Sequence, residues 1–325
     1  DGIGREVIAP AIAALELLQA KLGGFHLTFE HHDAGAAYYR ETGLEISDAS
    51  MQAAHTADAI LLGAMGLPDV RLPDGREIGP HLRMRDELCL YAGIRPVKAY
   101  PGIPRRLADP RAASIDLIVL RECTEGLFYS RTFGEVIEDR EARETLRISR
   151  DITEKLFDVG FKLARRRKAR GGKGVVTCVD KANVLRAYAF FRKIGYERAA
   201  LNPDIGFATN YVDAQALDLV RRPWDFDVLV AENMFADILS DLGGGLVGGM
   251  GMAPCAELGD SNGLFQPAHG SAPDIAGKGR ANPSATVLCA AMMLDWLGER
   301  HGIAALSDAG AVLDAAVDEG FTTGR

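Results

Sequence analysis

Four short, largely apolar segments, at residues 59–62, 117–120, 175–179 and 226–230, broken by Thr177 and Asp227, recur along the chain with helical or loop sequence between them. A strand that is apolar on both sides of its pleat must be covered on both faces. Continuous apolar strands interleaved with helices therefore predict an α/β fold with a largely buried sheet. Helical periodicity is clear over residues 6–22, where Ile8, Ile12, Leu15, Leu18 and Leu22 recur at three- and four-residue spacing before the stop at Gly23-Gly24. Phe25, Leu27 and Phe29 then alternate with polar neighbours, which predicts a half-buried strand. Residues 66–83, rich in Gly, Pro and charge, fit neither period and are predicted to form a long functional loop. The basic run at 163–170 precedes Gly171-Gly172 and reads as cations complementing a helix C-terminus.

The chain has 325 residues, 47% hydrophobic and 25% charged, enough for one to three domains with a large core. A net charge of −8 argues against a nucleic-acid partner, because phosphate neutralisation needs a basic surface. The five cysteines are scattered without a C-x-x-C pair, which suits a reducing cytoplasm better than a disulfide framework or a zinc site. No apolar run reaches the roughly twenty residues a bilayer span requires, so no membrane association is expected. No signal peptide precedes the first helix, and the expectation is a soluble cytoplasmic protein. Asp1-Gly2-Ile3-Gly4 has a turn composition with nothing ahead to feed it, which predicts a preceding strand; residues 320–325 likewise stop without a closing element.

Several residues are candidates for chemistry. In E-N-M-F-A-D-I-L-S-D, Asp237 and Asp241 stand four apart, so a helix would put both carboxylates on one face, where Mg²⁺ or Mn²⁺ is the usual hard guest. A solvated acidic face is the plainer explanation of such a pair alone. Arg85, Arg95 and Arg121 sit beside predicted elements, and converging guanidinium forks would suit a di- or tricarboxylic ligand. Lys181 and Asn183 fall at a strand-to-helix junction, where side chains of an open α/β sheet project into the binding crevice. Asp213 adds a third possible oxygen ligand on a helix. Residues 265–283 have the density of turn residues expected of a loop around a nucleotide, although both standard Gly-rich nucleotide motifs are absent.

Taken together, D-G-I-G, G-I-R-P-V-K, R-E-C-T-E-G, V-D-K-A-N-V-L, E-N-M-F-A-D-I-L-S-D and H-G-S-A-P-D-I-A-G-K-G-R-A-N-P resemble the β-decarboxylating dehydrogenase family. That family comprises the isopropylmalate, isocitrate, homoisocitrate, tartrate and D-malate dehydrogenases. The resemblance implies an isopropylmalate-dehydrogenase-like fold: two α/β domains with mixed sheets flanked by helices, and no standard Rossmann motif. Residues 1–90 plus 249–325 would form the cofactor-side domain, and 91–248 the substrate, metal and dimerisation domain. It also implies a homodimer with shared active sites that oxidises and decarboxylates a 2-hydroxy diacid with NAD and Mg²⁺ or Mn²⁺. A 3-isopropylmalate-like substrate heads the expectation. Tartrate, D-malate and isocitrate-type substrates, and a weakened regulatory homologue, remain open.

Carried over by position, the resemblance makes Asp237 and Asp241 metal ligands, joined by Asp213 of the other subunit. Arg85, Arg95 and Arg121 would grip the substrate carboxylates, and Lys181, also from the other subunit, would take the hydroxyl proton. Asn183 would lie near the nicotinamide, with His269, Gly270, Ser271, Ala272, Asp274, Ile275 and Asn282 around the adenosine. Asp274 would accept from a ribose 2′-hydroxyl and repel a 2′-phosphate, which favours NAD over NADP. Ile78 and Leu82 would meet the substrate's variable group. Two positions depart from the family pattern: Phe128 replaces a tyrosine that protonates the enol, and Gln266 replaces a common glutamate near the nicotinamide. Tyr129 is adjacent to Phe128, but a one-residue displacement can turn a side chain away.

Overall fold

The computed structural model describes residues 1–324. Its helices are α1 (Gly4–Leu22), α2 (Ala36–Thr42), α3 (Asp48–Thr56), α4 (Pro80–Glu87), α5 (Arg150–Ala169), α6 (Arg186–Ala200), α7 (Val212–Arg221), α8 (Asn233–Val247), α9 (Ser284–His301) and α10 (Ala304–Thr323). The strands are β1 (Ile60–Leu61), β2 (Ala92–Lys98), β3 (Asp116–Glu122), β4 (Glu135–Ile137), β5 (Glu141–Arg143), β6 (Val175–Asp180), β7 (Gly206–Tyr211), β8 (Val228–Ala231), β9 (Pro254–Leu258) and β10 (Gly263–Pro267). All four apolar segments picked out by sequence are strands: β1, β3, β6 and β8. The chain forms two compact α/β units, one made of Asp1–Leu90, Tyr100–Ile103 and Gly249–Arg325, the other of Tyr91–Ala99 and Pro104–Gly248.

In the first unit, β1 runs parallel to β10, and β10 runs antiparallel to β9 with Phe265 opposite Ala256. Leu62, Leu90 and Leu264 pack there against Met51 of α3, Met84 of α4, and Ile46 and Leu88 beside those helices. Residues 25–29 correct the sequence reading. Phe25, Leu27 and Phe29 do alternate with exposed neighbours, but the segment belongs to no strand. Alternation reports a half-covered extended chain; a strand also needs a partner for its backbone groups, and among the described residues this segment has none in a ladder.

In the second unit, β2 and β3 pair antiparallel, with Gly93 opposite Arg121, while β3, β8, β6 and β7 run parallel in that order. Val179, Leu229 and Ala231 from the strands and Ala236 and Leu239 from α8 share one fully buried core cluster. Because the four strands are parallel, their carboxyl ends emerge on one edge, and Arg121, Glu232, Lys181 and Asp213 lie at or just beyond those ends. The β4–β5 hairpin leaves Val136 74% exposed. Among the described residues no helix is long and apolar enough to cross a membrane.

Candidate active site

The parallel register of β3 and β8 sets Arg121 beside Ala231, so the first turn of α8, which starts two residues later, lies over the guanidinium. Glu232 caps that helix by accepting from the backbone N–H groups of Met234 and Phe235 at 3.2 and 3.0 Å. Tyr188 donates to the same carboxylate at 3.0 Å while its ring stacks on Phe235 at 4.7 Å. Burial raises the Glu232 carboxyl above its ordinary range, opposed by those three donors. Further along, Gly243 lets α8 approach β2 closely: a Cβ there would lie 2.6 Å from Val97 Cγ2.

On this helix Asp237 and Asp241 do share a face. Arg95 Nη1 lies 2.8 Å from Asp237 Oδ1 and 3.7 Å from an Asp241 oxygen, and Arg121 Nη1 donates to Asp237 Oδ1 as well. Arg95 Nη1 also donates to Ser240 Oγ at 2.7 Å. Both guanidinium groups are buried, whereas the carboxylates are partly open to solvent. Asp241 is raised above its ordinary range by desolvation and by Asp237, against the pull of Arg95 and Arg121. Two hard oxygen donors one helical turn apart fit a divalent cation in chemistry. Among the described residues no three acidic, His or Cys side chains gather into a metal cluster.

Arg121 is held by a residue the sequence reading left unassigned. Its Nε and Nη2 donate to Asn233 Oδ1 at 3.0 and 2.6 Å, and Asn233 Nδ2 donates to the Glu125 carbonyl at 3.2 Å and approaches Glu122 Oε2 at 3.5 Å. Glu122 is buried and accepts from Thr124 N, Thr124 Oγ1 and Glu125 N. Burial pushes its carboxyl up to about 7 in spite of these donors. Both residues sit inside motifs visible in the sequence, R-E and E-N, but only burial shows why an acid and an amide are needed there.

Lys181 and Asp213 are neighbours of each other: Nζ lies 2.6 Å from Asp213 Oδ1, and this bond lowers the Asp213 carboxyl. Asp180, buried, fixes the turn that carries the lysine by accepting from Ala182 N at 2.7 Å and from Arg192 through a two-point fork. Asn183 is exposed in that turn. The Phe128 ring lies 5.2 Å from the Arg121 guanidinium, while Tyr129 packs on Arg147 and Phe133 instead.

Within the first unit, Arg85 is buried and grips Glu257 through Nε and Nη2. Ile78, expected to face the substrate, is 1% exposed and packs into a cluster with Ala36, Val70, Tyr39, Leu67 and Leu72. Its apolar surface is spent on fastening the 66–79 loop; Leu82, on α4, is partly exposed. Residues 268–283 are a loop, tied down by Ser271, whose carbonyl accepts from Ile3 N at 2.8 Å and whose hydroxyl donates to the Gly66 carbonyl at 2.5 Å. Gly2, at φ 47°, makes that approach feasible, because a side chain there would collide with the Ser271 carbonyl. His269, Gly270, Ala272, Asp274 and Ile275 follow one another along this loop, and Ala272 is strained to φ 37°. Asp274 is exposed, and Asn282 Oδ1 accepts from Ser284 N and Oγ at the start of α9.

Within the second unit Arg95 and Arg121 thus meet the carboxylate pair of α8, and Lys181 meets Asp213 beyond the ends of β6 and β7. The isocitrate/isopropylmalate dehydrogenase family profile matches residues 1–324. The chain belongs to this family. It is 41% identical over 302 residues to a 3-isopropylmalate/3-methylmalate dehydrogenase of Methanocaldococcus jannaschii, covering 92% of this chain and 84% of the relative. A 3-isopropylmalate dehydrogenase of Xanthomonas euvesicatoria is 42% identical over 303 residues, 90% and 83% of the two chains. Among solved structures, isocitrate dehydrogenase from Methylococcus capsulatus superposes with a TM-score of 0.85 at 34% identity, covering 100% of this chain and 89% of that one. A β-decarboxylating dehydrogenase from Thermococcus kodakarensis gives 0.77 at 35% identity, covering 99% and 86%.

Proposed function

We propose that this family member is an NAD- and divalent-metal-dependent dehydrogenase that oxidises 3-isopropylmalate at its hydroxyl-bearing carbon and releases the carboxylate on the adjacent carbon, β to the new ketone, as CO₂. The observation that carries the reading is the convergence of Arg95 and Arg121 on Asp237 beside Asp241, a site with both cationic forks for a diacid and hard oxygens for an ion. Bound there, Mg²⁺ or Mn²⁺ would polarise the hydroxyl and carry the charge that develops on oxygen during oxidation and CO₂ loss. Arg85, Arg95 and Arg121 orient the diacid through its carboxylates. Lys181 Nζ, steered by Asp213, takes the hydroxyl proton. The 268–275 loop, with Asp274 toward the ribose, receives NAD, and Asn183 approaches the nicotinamide. Similarity at about 41% to enzymes named for 3-isopropylmalate favours that substrate over tartrate, D-malate or isocitrate.

The working unit in this reading is a homodimer, in which Lys181 and Asp213 complete the site of the other subunit. Supporting it, one chain offers only two of the three carboxylates, and apolar Leu217, Val220 and Ile238 on α7 and α8 are each about half exposed. Five free cysteines fit a reducing cytoplasm. The test is NAD reduction against 3-isopropylmalate, D-malate, tartrate and isocitrate, with Mg²⁺, Mn²⁺ or chelator and with NADP in parallel. Turnover of none of them in the presence of metal would sink the proposal. Phe128 favours one second reading, slow or absent turnover with ligand binding retained, because the ring beside Arg121 has no hydroxyl to give.

A further inference from the structure

We infer that Glu257 and Gln266 are positioning residues that fix the Arg85 guanidinium for its ligand; this rests on the proposed role of Arg85 as a substrate grip. Arg85 closes α4 with its side chain 5% exposed, and Glu257 on β9 is fully buried. The fork is two-point, Nε to Oε2 at 2.7 Å and Nη2 to Oε1. Gln266 on β10 donates Nε2 to the same Oε1 at 2.9 Å. The hairpin register explains the contact. Cys255 faces Gln266 and Glu257 faces Leu264, so Glu257 and Gln266 are diagonal neighbours on one face of the β9–β10 pair.

The pairing has two consequences. A free arginine side chain samples many rotamers, whereas a side-on fork to a buried carboxylate fixes the plane of the guanidinium and the edge a second carboxylate can meet. The amide at position 266 also sets the charge. One carboxylate and one guanidinium balance; a second carboxylate at 266 would touch Glu257 and leave two negative charges over one cation, repelling an anionic ligand. Gln266 supplies a donor instead. Titratable groups facing Glu257 include Cys255 on its own strand and Cys289 on α9, whose thiol burial holds well above its ordinary range.

The test is steady-state kinetics with 3-isopropylmalate at saturating NAD and Mn²⁺, with thermal midpoints measured alongside. Glu257→Gln should raise KM for the diacid by about tenfold, the loss of a charge-assisted two-point bond, while kcat and KM for NAD stay within about twofold. Gln266→Glu should match the unmutated protein near pH 6, where two carboxyls in contact share a proton, and lose affinity for the diacid as both ionise toward about pH 9. Glu257→Asp, one methylene short, covers the case in which Glu257→Gln fails to fold and should fall between. If Arg85→Gln raises KM but the 257 and 266 variants lower only the thermal midpoint, with KM flat across pH, Glu257 and Gln266 merely support the fold and the inference fails. If Arg85→Gln leaves KM unchanged, the substrate role of Arg85 itself fails, and the inference falls with it.

Discussion

The geometry of the carboxylate pair depends on how closely α8 approaches β2, and Gly243 controls that distance. In Gly243→Ala the new Cβ would lie 2.6 Å from Val97 Cγ2 and 3.3 Å from Cγ1, on a side chain that is itself 2% exposed and unable to swing into solvent. Two effects oppose each other. Alanine gains about 1 kcal/mol over glycine in a helix interior, and overpacking of a full core costs about 1–3 kcal/mol. The net expectation is destabilisation by up to about 2 kcal/mol, with α8 pushed off β2 and Asp237 away from Arg95. Val97→Ala alone costs about 2 kcal/mol for two buried methyl groups. In that background the clash is gone, so Gly243→Ala should stabilise by about 1 kcal/mol, reversing its sign. Urea denaturation of the four proteins in the cycle should give a coupling energy of about 1–3 kcal/mol, the overpacking cost that Val97→Ala removes, and metal-dependent turnover should fall in Gly243→Ala and partly return in the double variant. Additivity within about 0.5 kcal/mol would refute the close-approach argument.

Glu122 gives a pH prediction. A carboxyl raised from an ordinary 4.5 to about 7 binds more protons folded than unfolded, so it contributes stability in full below pH 4.5 that is lost as pH rises through about 7. The loss amounts to about 3 kcal/mol, and Glu122→Gln should flatten stability against pH across that window. The slope is the readout, since a glutamine amide also turns one acceptor into a donor facing Glu125 N or Asn233; an unchanged slope would contradict the assignment. Asp237→Asn should cost at least about 100-fold in turnover, because a Lewis-acid contribution of several kcal/mol loses a ligand. Lys181→Ala should be similarly inactive, and mixing the two inactive variants should restore activity through heterodimers; no recovery, with subunit exchange verified, would count against shared sites. Phe128→Tyr should speed product formation if protonation of the enol limits turnover; NADH and CO₂ would then appear ahead of the ketone product in the unmutated protein, and the variant should close that gap.

The extent to which this site could be read from sequence varied by residue for physical reasons. The strands β1, β3, β6 and β8 declare themselves because burial on both faces leaves their middles largely apolar, Thr177 excepted. β2 does not, since Arg95 and Pro96 interrupt it; the arginine is accommodated by α8, which brings Asp237 within 2.8 Å and Ser240 within 2.7 Å. The family resemblance assigned Ile78 to the substrate's variable group, whereas its packing partners Ala36 and Val70 are remote in sequence and show only in the fold. Asn233 and Glu122 were in plain view as letters of quoted motifs, but their task is to satisfy one another and Arg121 out of water, and burial is a property of the folded neighbourhood.

The aspartates show how a local rule and a long-range one combine. Spacing alone put Asp237 and Asp241 on one helix face, and any solvated acidic helix satisfies that rule equally. What makes the pair a site is a register: Arg121 opposite Ala231 on parallel strands, and Gly93 opposite Arg121 on the antiparallel neighbour, which sets Arg95 two residues on. Shifting β8 by one residue against β3 would start α8 3.3 Å or so along the strand direction and turn the carboxylates off both guanidinium groups. The proposed chemistry therefore depends on the same strand pairing that buries Leu117, Val119, Leu229 and Ala231, so substitutions in that core that weaken register should reduce turnover before they unfold the unit.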